Sequence, residues 1–238
     1  MKITQLKQYK KALLLGYGVE GMATEKFLKK HFPEMQIDIA DQADGPDYLK
    51  KQFNYELVIK TPGLPKRFMQ VPYTTATNIF FANTSGFTIG ITGSKGKSTT
   101  STLIYNILKA AGKNAKLIGN IGNPMLNELS NEKAAQNTYY VIELSSYQTE
   151  DLQSTPNICL ITNMFPEHMD HHGSVRRYYR AKRNLLKHAT EKTIFVYNPA
   201  LPLLKKLALT TRAKTVPFVE QLPFDASIIP LIGQHNLT

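Results

Sequence analysis

Phe87-Thr-Ile-Gly-Ile-Thr92, running directly into Gly93-Ser-Lys-Gly-Lys-Ser-Thr99, is the stretch that decides how this chain folds. The apolar run FTIGIT predicts a strand, and the glycine-rich turn after it opens a predicted helix from about Ser98 to Ala111. Between a strand and a helix, consecutive backbone N–H groups and the helix N-terminus can hold a polyphosphate. Gly93, Ser94, Lys95, Gly96, Lys97, Ser98 and Thr99 are therefore the candidate nucleotide contacts. Lys97 would reach the terminal phosphates, and the Ser98 hydroxyl would ligate Mg²⁺. The strict spacing Gly-x4-Gly-Lys-Ser/Thr is missed at one place, because Ile91 stands where its first glycine belongs. A glycine-rich turn without a ligand is the plain alternative; the coincidence of strand, GKST and helix weighs against it.

Downstream, YYVIEL, NICLITN and TIFVY predict strands, with a helix over about 174–189. Glu143 stands at the end of YYVIEL, where the carboxyl ends of strands in an open sheet face a ligand crevice. An acid at that place suits Mg²⁺, since hard cations take oxygen ligands; a capping role in the turn ELSSYQ is the alternative. Upstream, KALLL at Lys11–Leu15 leads into Gly16-Tyr-Gly18-Val-Glu-Gly21 and a helical pattern through Ala23, Phe27 and Leu28. MQIDIAD, ending at Asp41, and YELVIKTPG give two more strands, so the first eighty or so residues read as a βαβ unit. Gly-x-Gly-x-x-Gly with Asp41 twenty residues beyond Gly21 resembles a dinucleotide fingerprint, yet nothing downstream resembles a hydride-transfer site. The polar stretch Asn83, Thr84, Ser85 and Gly86 places a boundary between residues 1–84 and 85–238. The predicted fold is α/β: a small Rossmann-like parallel-sheet domain followed by a P-loop-type ATP-binding α/β domain.

Two segments have competing readings. EHMDHH holds His168, Asp170, His171 and His172, which by themselves could indicate zinc; adjacent histidines do not easily share one ion, and no second ligand cluster is visible. VRRYYRAKRNLLKHA looks like a basic nucleic-acid-binding helix. On a helical register, however, Val175, Tyr178, Tyr179, Lys182, Leu185, Leu186 and Ala189 share one stripe while the arginines fall largely elsewhere. Lys182 therefore points inward. A buried lysine pairs with an acid or becomes a nucleophilic amine; the alternative is an edge lysine that snorkels.

Composition narrows the partners. Lys and Arg number 29 against 18 Asp and Glu, for a net charge of +11, so the surface field attracts anions without choosing among them. The single cysteine, Cys159, lies in the apolar run NICLI and reads as a buried strand residue in a reducing setting. No run approaches the ~20 apolar residues that span a bilayer, and MKITQLKQYKK lacks a signal-peptide core. A cytoplasmic protein without a transmembrane segment is expected.

GITGSKGKST, GNIGNP at 119–124, ELSSYQTE at 143–150, NMFPEHMDHHGS at 163–174, YRAK at 179–182 and LIGQHN at 231–236 stand in one order along nearly the whole chain. Together they resemble the Mur ligase family, and GYGVEG, TPG, GNIG and ELSSYQ most resemble its D-glutamate-adding branch. The resemblance implies ATP-dependent amide-bond formation that adds D-glutamate to UDP-N-acetylmuramoyl-L-alanine through an acyl phosphate. It implies catalytic Lys97, Glu143, His168 and Lys182, and metal ligation at two Mg²⁺ sites by Ser98, Glu143, His168 and a carbamylated Lys182. His235 and Asn236 would approach the adenine, and Asn120, Ser145 and His168 would face the substrate. Tyr17, Val19, Asp41, Thr61 and Gly63 would hold the uridine diphosphate end of the precursor. A monomer that binds no nucleic acid is expected. Three places depart from the family pattern: Lys95 in the loop, MFPE before His168, and the end of the chain at Thr238, where the resemblance implies an absent carboxyl-terminal amino-acid-binding domain. Such a chain is expected to bind substrates and ligate poorly or not at all. The rivals are another Mur-type or folylpolyglutamate-type ligase and a basic nucleotide- or nucleic-acid-binding protein.

Overall fold

The strand β1 (Lys11–Leu15) is buried at four of its five positions, with β2 (Gln36–Ala40) on one side and β3 (Leu57–Lys60) on the other. All pairings in this computed structural model are parallel, and parallel neighbours require a crossover. The crossover from β1 to β2 is α2 (Val19–His31), while α1 (Ile3–Leu6) precedes the sheet and α3 (Ala76–Asn83) follows it. The structure describes residues 1–129 and 135–218, so His235, Asn236 and the rest of LIGQHN lie outside the described residues.

A second parallel sheet begins at β4 (Phe87–Thr92). After it come α4 (Lys97–Ala110), β5 (Ala115–Gly119), β6 (Tyr139–Glu143), α5 (Ser146–Glu150) and β7 (Ile158–Ile161). The helices α6 (Met169–His172) and α7 (Val175–Arg183), the strand β8 (Ile194–Tyr197), α8 (Pro202–Ala208) and β9 (Lys214–Pro217) complete it. The strand order is β5-β6-β4-β7-β8-β9. From β4 the chain passes to β5 on one side, and from β6 it crosses to β7 on the other. This reversal of direction opens a crevice at the carboxyl ends of β4, β6 and β7.

The predicted helix over 174–189 is shorter. Ser174 caps α7 by accepting from the Arg177 amide at 3.3 Å, and the helix ends at Arg183, continuing as a 3-10 turn over Asn184–Leu186. Asn184 turns its side-chain amide onto the Glu150 carbonyl at 2.8 Å, the kind of local polar contact that makes asparagine a poor interior helix residue. The apolar stripe survives, with Tyr178, Lys182, Leu185, Leu186 and Ala189 buried; Val175, at the first helical position, is exposed.

The two sheets share one continuous hydrophobic cluster that runs from Leu14, Phe27 and Phe80 to Tyr140 and Ile142. Phe80 meets Tyr140 edge-on, with ring centroids 5.1 Å apart. Buried polar contacts join the same faces. Lys60 Nζ lies 2.9 Å from Asp151 Oδ2, Tyr73 donates to Asp151 Oδ1 at 2.5 Å, and Asn78 donates to the Asp151 carbonyl at 2.8 Å. Arg67 donates to the carbonyls of Asp170 and His171, and Gln148 donates to Glu20 at 3.0 Å. Among the described residues, no helix is long and apolar enough to cross a membrane.

Candidate functional site

The loop between β4 and α4 is shaped by two glycines with positive φ, Gly93 at 152° and Gly96 at 78°. Gly96 is the left-handed cap of α4, whose first backbone bond runs from the Thr100 amide to the Gly96 carbonyl at 3.0 Å. The amides of Lys97, Ser98 and Thr99 therefore have no intrahelical acceptor and form the anion-binding end of the helix. Lys97 Nζ folds back onto the Ser94 carbonyl at 2.8 Å, which keeps the ammonium at the loop.

Ser94 and Lys95 are placed differently from the rest of the loop. Asn163 Oδ1 accepts from both of their amides, at 3.1 and 2.8 Å, and Asn163 Nδ2 together with Thr162 Oγ1 donates to the Lys95 carbonyl. The Ser94 hydroxyl faces inward, 2.8 Å from both the Phe165 carbonyl and the Tyr178 hydroxyl. Lys95 pairs with Glu167 at 2.9 Å. These two residues brace the loop, and its free donors lie further along, from Lys97 to Thr99. The sequence reading put Tyr178 on the inward stripe and Thr162 and Asn163 at the end of a strand, but gave none of the three a role at the loop. Thr162 and Asn163 follow β7 as Glu143 ends β6, so position at a strand's carboxyl end was the signal available for them.

Lys182 is 2% exposed; its Nζ donates to the Gly93 carbonyl at 2.6 Å and lies 4.7 Å from the centre of the Tyr178 ring. Burial, with the nearby charge of Lys97 adding to it and Glu167 opposing, brings its pKa down to about 7. Burial likewise pushes the Tyr178 hydroxyl up to about 12. Glu143 is 1% exposed. Its Oε1 accepts from Asn120 Nδ2 at 2.8 Å, while Oε2 has no hydrogen-bond partner among the described residues. Thr92 Oγ1, at the end of the neighbouring strand, is buried and unpartnered in the same way. A buried carboxylate oxygen without a donor costs free energy unless a cation or proton satisfies it, so this donor set fits Mg²⁺.

His168 is exposed and stands at φ 56°, the only non-glycine with positive φ among the described residues. A residue with a Cβ pays about 1–2 kcal/mol for that conformation, and such strain collects at functional sites. Its ring lies 5.1 Å from that of Tyr147 and 6.2 Å from that of Tyr178. Ser145 caps α5: its hydroxyl accepts from the Gln148 amide at 3.2 Å, and Gln148 reaches back to the Ser145 amide. In the first sheet, Tyr17, Val19, Asp41, Thr61 and Gly63 all line one cleft of about 450 Å³. The cleft is built on the turn from β1 to α2, where a Cβ on Gly16 would fall 2.0 Å from Thr61 Oγ1. Asp41 Oδ2 holds that turn by accepting from the Tyr17 amide at 2.8 Å.

A parallel sheet whose order reverses at β4, with a phosphate-type loop and helix at the reversal, defines a P-loop-type α/β protein preceded by a Rossmann-like sheet. Residues 91–226, more than half of the chain, match the Mur ligase middle domain. The chain belongs to the Mur ligase family. It is 32% identical, over 99% of its length, to a UDP-N-acetylmuramoyl-L-alanine–L-glutamate ligase of Xanthomonas euvesicatoria, covering 60% of that protein. It is 32% identical, over 96% of its length, to a UDP-N-acetylmuramoylalanine–D-glutamate ligase of Streptococcus pyogenes, covering 56% of that one. The chain thus spans a little over half the length of these relatives. In fold it is similar to a crystal structure of UDP-N-acetylmuramate:L-alanyl-γ-D-glutamyl-meso-diaminopimelate ligase from Neisseria meningitides, with a TM-score of 0.54 and 14% identity over 88% of this chain and 78% of that one.

Proposed function

We propose that this chain forms the precursor-binding unit, residues 1–84, and the ATP-binding unit, residues 85–238, of a ligase that joins D-glutamate to UDP-N-acetylmuramoyl-L-alanine. The observation that carries the proposal is Glu143: a carboxylate buried beside a phosphate-type loop, with one oxygen held by Asn120 and the other unpartnered. One of the relatives above is named for L-glutamate and the other for D-glutamate; the D isomer is proposed here from GNIG and ELSSYQ. Ser98, Glu143, His168 and a carbamylated Lys182 would hold Mg²⁺, which supplies charge neutralisation when the γ-phosphoryl group of ATP passes to the precursor's carboxylate. The amides of Lys97, Ser98 and Thr99 bind the polyphosphate, and the Lys97 ammonium swings from the Ser94 carbonyl to the terminal phosphates. Asn120 orients the Glu143 carboxylate. Asp41 keeps the first turn in shape, and Thr61 and Gly63 form the floor on which the uridine diphosphate lies. Attack of the amine on the activated carboxyl then releases phosphate. With Cys159 buried and inert, a monomer in a reducing cytoplasm is the proposed setting.

Calorimetry with UDP-N-acetylmuramoyl-L-alanine tests the precursor assignment. The expected result is one site per chain, with NAD failing to compete. A folded chain that binds NAD and ignores the precursor would overturn the assignment.

Lys182 gives a pH-dependent test. With its pKa brought down to about 7, the neutral amine that attacks CO₂ predominates at pH 8 and is the minor form at pH 6. Nitrogen bonds to carbon, one C=O electron pair moves to oxygen, and the amine proton leaves to solvent. In ¹³C-bicarbonate, a carbamate resonance should grow from pH 6 to pH 8 and vanish in Lys182→Met; an unchanged resonance in the variant would remove Lys182 from the role.

A further inference from the structure

The histidines that the proposed chemistry leaves unused meet a third ligand. Glu150, at the end of α5, comes between His171 and His172, and one ligand atom from each of the three residues lies within 4.8 Å of the others. His171 Nε2 lies 3.4 Å from Glu150 Oε2, and His172 Nδ1 lies 3.7 Å from Glu150 Oε1. His171 is 7% and His172 2% exposed. His171 Nε2, His172 Nδ1 and Glu150 Oε2 are all buried without a hydrogen-bond partner among the described residues. The sequence offered His171 and His172 as candidate zinc ligands but not Glu150, which is twenty-one residues from His171. The four-residue helix α6, entered through the left-handed turn at His168 and left through Gly173 at φ 74°, turns both rings toward α5.

We propose that Glu150, His171 and His172 form a site for a divalent transition metal of the zinc type, separate from the Mg²⁺ sites of the phosphate loop. The separations of 3.4 and 3.7 Å run to the two different oxygens of Glu150, and one atom from each residue lies within 4.8 Å of the others, so a small inward turn of the rings brings the three donors to the spacing of a tetrahedral ion with bonds of about 2.0–2.2 Å. Two imidazoles and one carboxylate are a zinc-type donor set rather than a Mg²⁺ set, and water would complete the tetrahedron. The surroundings orient the ligands. His172 Nε2 lies 3.0 Å from Ser146 Oγ, an outer hydrogen bond of the kind that orients a ligating histidine ring. The His171 ring lies against Tyr147, with centroids 4.0 Å apart and planes at 32°, and its carbonyl accepts from Arg67. A cation held between the carboxylate and the two ring nitrogens would satisfy all three of these buried atoms at once.

The test uses the whole chain, stripped with a chelator and titrated with Zn²⁺, and with Co²⁺ for its absorption spectrum. One equivalent is expected, with the intense visible bands of tetrahedral Co²⁺ and a raised melting temperature. His171→Phe, which keeps a ring against Tyr147, and Glu150→Gln should each weaken Zn²⁺ binding at least tenfold, in line with the usual effect of losing a ligand or its support. His188→Ala should leave it unchanged. X-ray absorption on the unaltered Zn²⁺ protein supplies a readout that depends on no variant, with two imidazole ligands expected. Absence of stoichiometric binding to the folded chain, full binding retained by both site variants, or fewer than two imidazoles in the absorption spectrum would overturn the proposal, leaving the two rings as polar partners of Glu150 alone.

Discussion

Asp151→Ala is expected to destabilise the chain by about 3–5 kcal/mol, the usual cost of stranding one member of a buried ion pair. The side chains of Lys60 and Asp151 are 0% and 3% exposed and meet at 2.9 Å. The Lys60 ammonium also donates to the carbonyls of Leu64 at 2.9 Å and Thr61 at 3.3 Å, which hold it in place without neutralising it. Removing the carboxylate leaves that charge in a dry interior and takes the acceptor from Tyr73 as well. The contact bridges the two sheets, so the loss falls on their junction and on the floor of the cleft at Leu64. Urea denaturation of the parent and the variant measures the loss. The double variant Lys60→Met with Asp151→Ala should recover much of it, because an apolar side chain of similar length suits the same interior. A loss under about 1 kcal/mol in the single variant would mean that water reaches Lys60 once the partner is gone, and that the junction is not held by this pair.

Much of the scaffold was legible where residues repeat a pattern set by their own environment. β1, β4 and β6 are buried on both faces of a parallel sheet, and such strands read as unbroken apolar runs. β5 buries only Ala115 and Ile118, and the edge strand β9 buries none of its four positions; neither carries a pattern that stands out from a loop. Lys182 was legible because a helix stripe reports direction, and it lies as the stripe implied. The inward turn of Ser94 was not, since it depends on Phe165 and Tyr178, some seventy to eighty residues away. Asp151 follows the ELSSYQTE motif as one more polar residue, and only the approach of Lys60 and Tyr73 makes it an interior group. The convergence of Glu150 on His171 and His172 belongs to the same class of fact. Periodicity reveals which way a side chain faces, whereas its partner is set by tertiary packing.

Gly93→Ala should all but abolish binding of Mg·ATP, with a loss on the order of a hundredfold or more, equivalent to about 2.8 kcal/mol at tenfold per 1.4 kcal/mol. An added Cβ would fall 1.9 Å from Thr162 Oγ1, 3.1 Å from Thr162 Cβ and 3.2 Å from the Asn163 backbone nitrogen, at a φ of 152° that side chains rarely adopt. Thr162 cannot simply turn away, because its amide is tied to the Thr92 carbonyl and its hydroxyl to the Lys95 carbonyl. The loop must therefore shift, and with it the Gly93 carbonyl that receives Lys182 and the register of the amides at the start of α4. Gly96→Ala is the control: its Cβ meets nothing within 4 Å, so only the left-handed strain of about 1–2 kcal/mol applies and the loss should stay near tenfold. Lys97→Ala, which removes a charge-assisted contact worth about 1.5–3 kcal/mol, should fall between the two. Adding Thr162→Ala to Gly93→Ala removes the nearest clashing atom and should restore part of the affinity. Calorimetric titration of the parent and the four variants, each shown to be folded, gives the order directly. If Gly93→Ala bound Mg·ATP as the parent does, the loop after β4 would not be the nucleotide site.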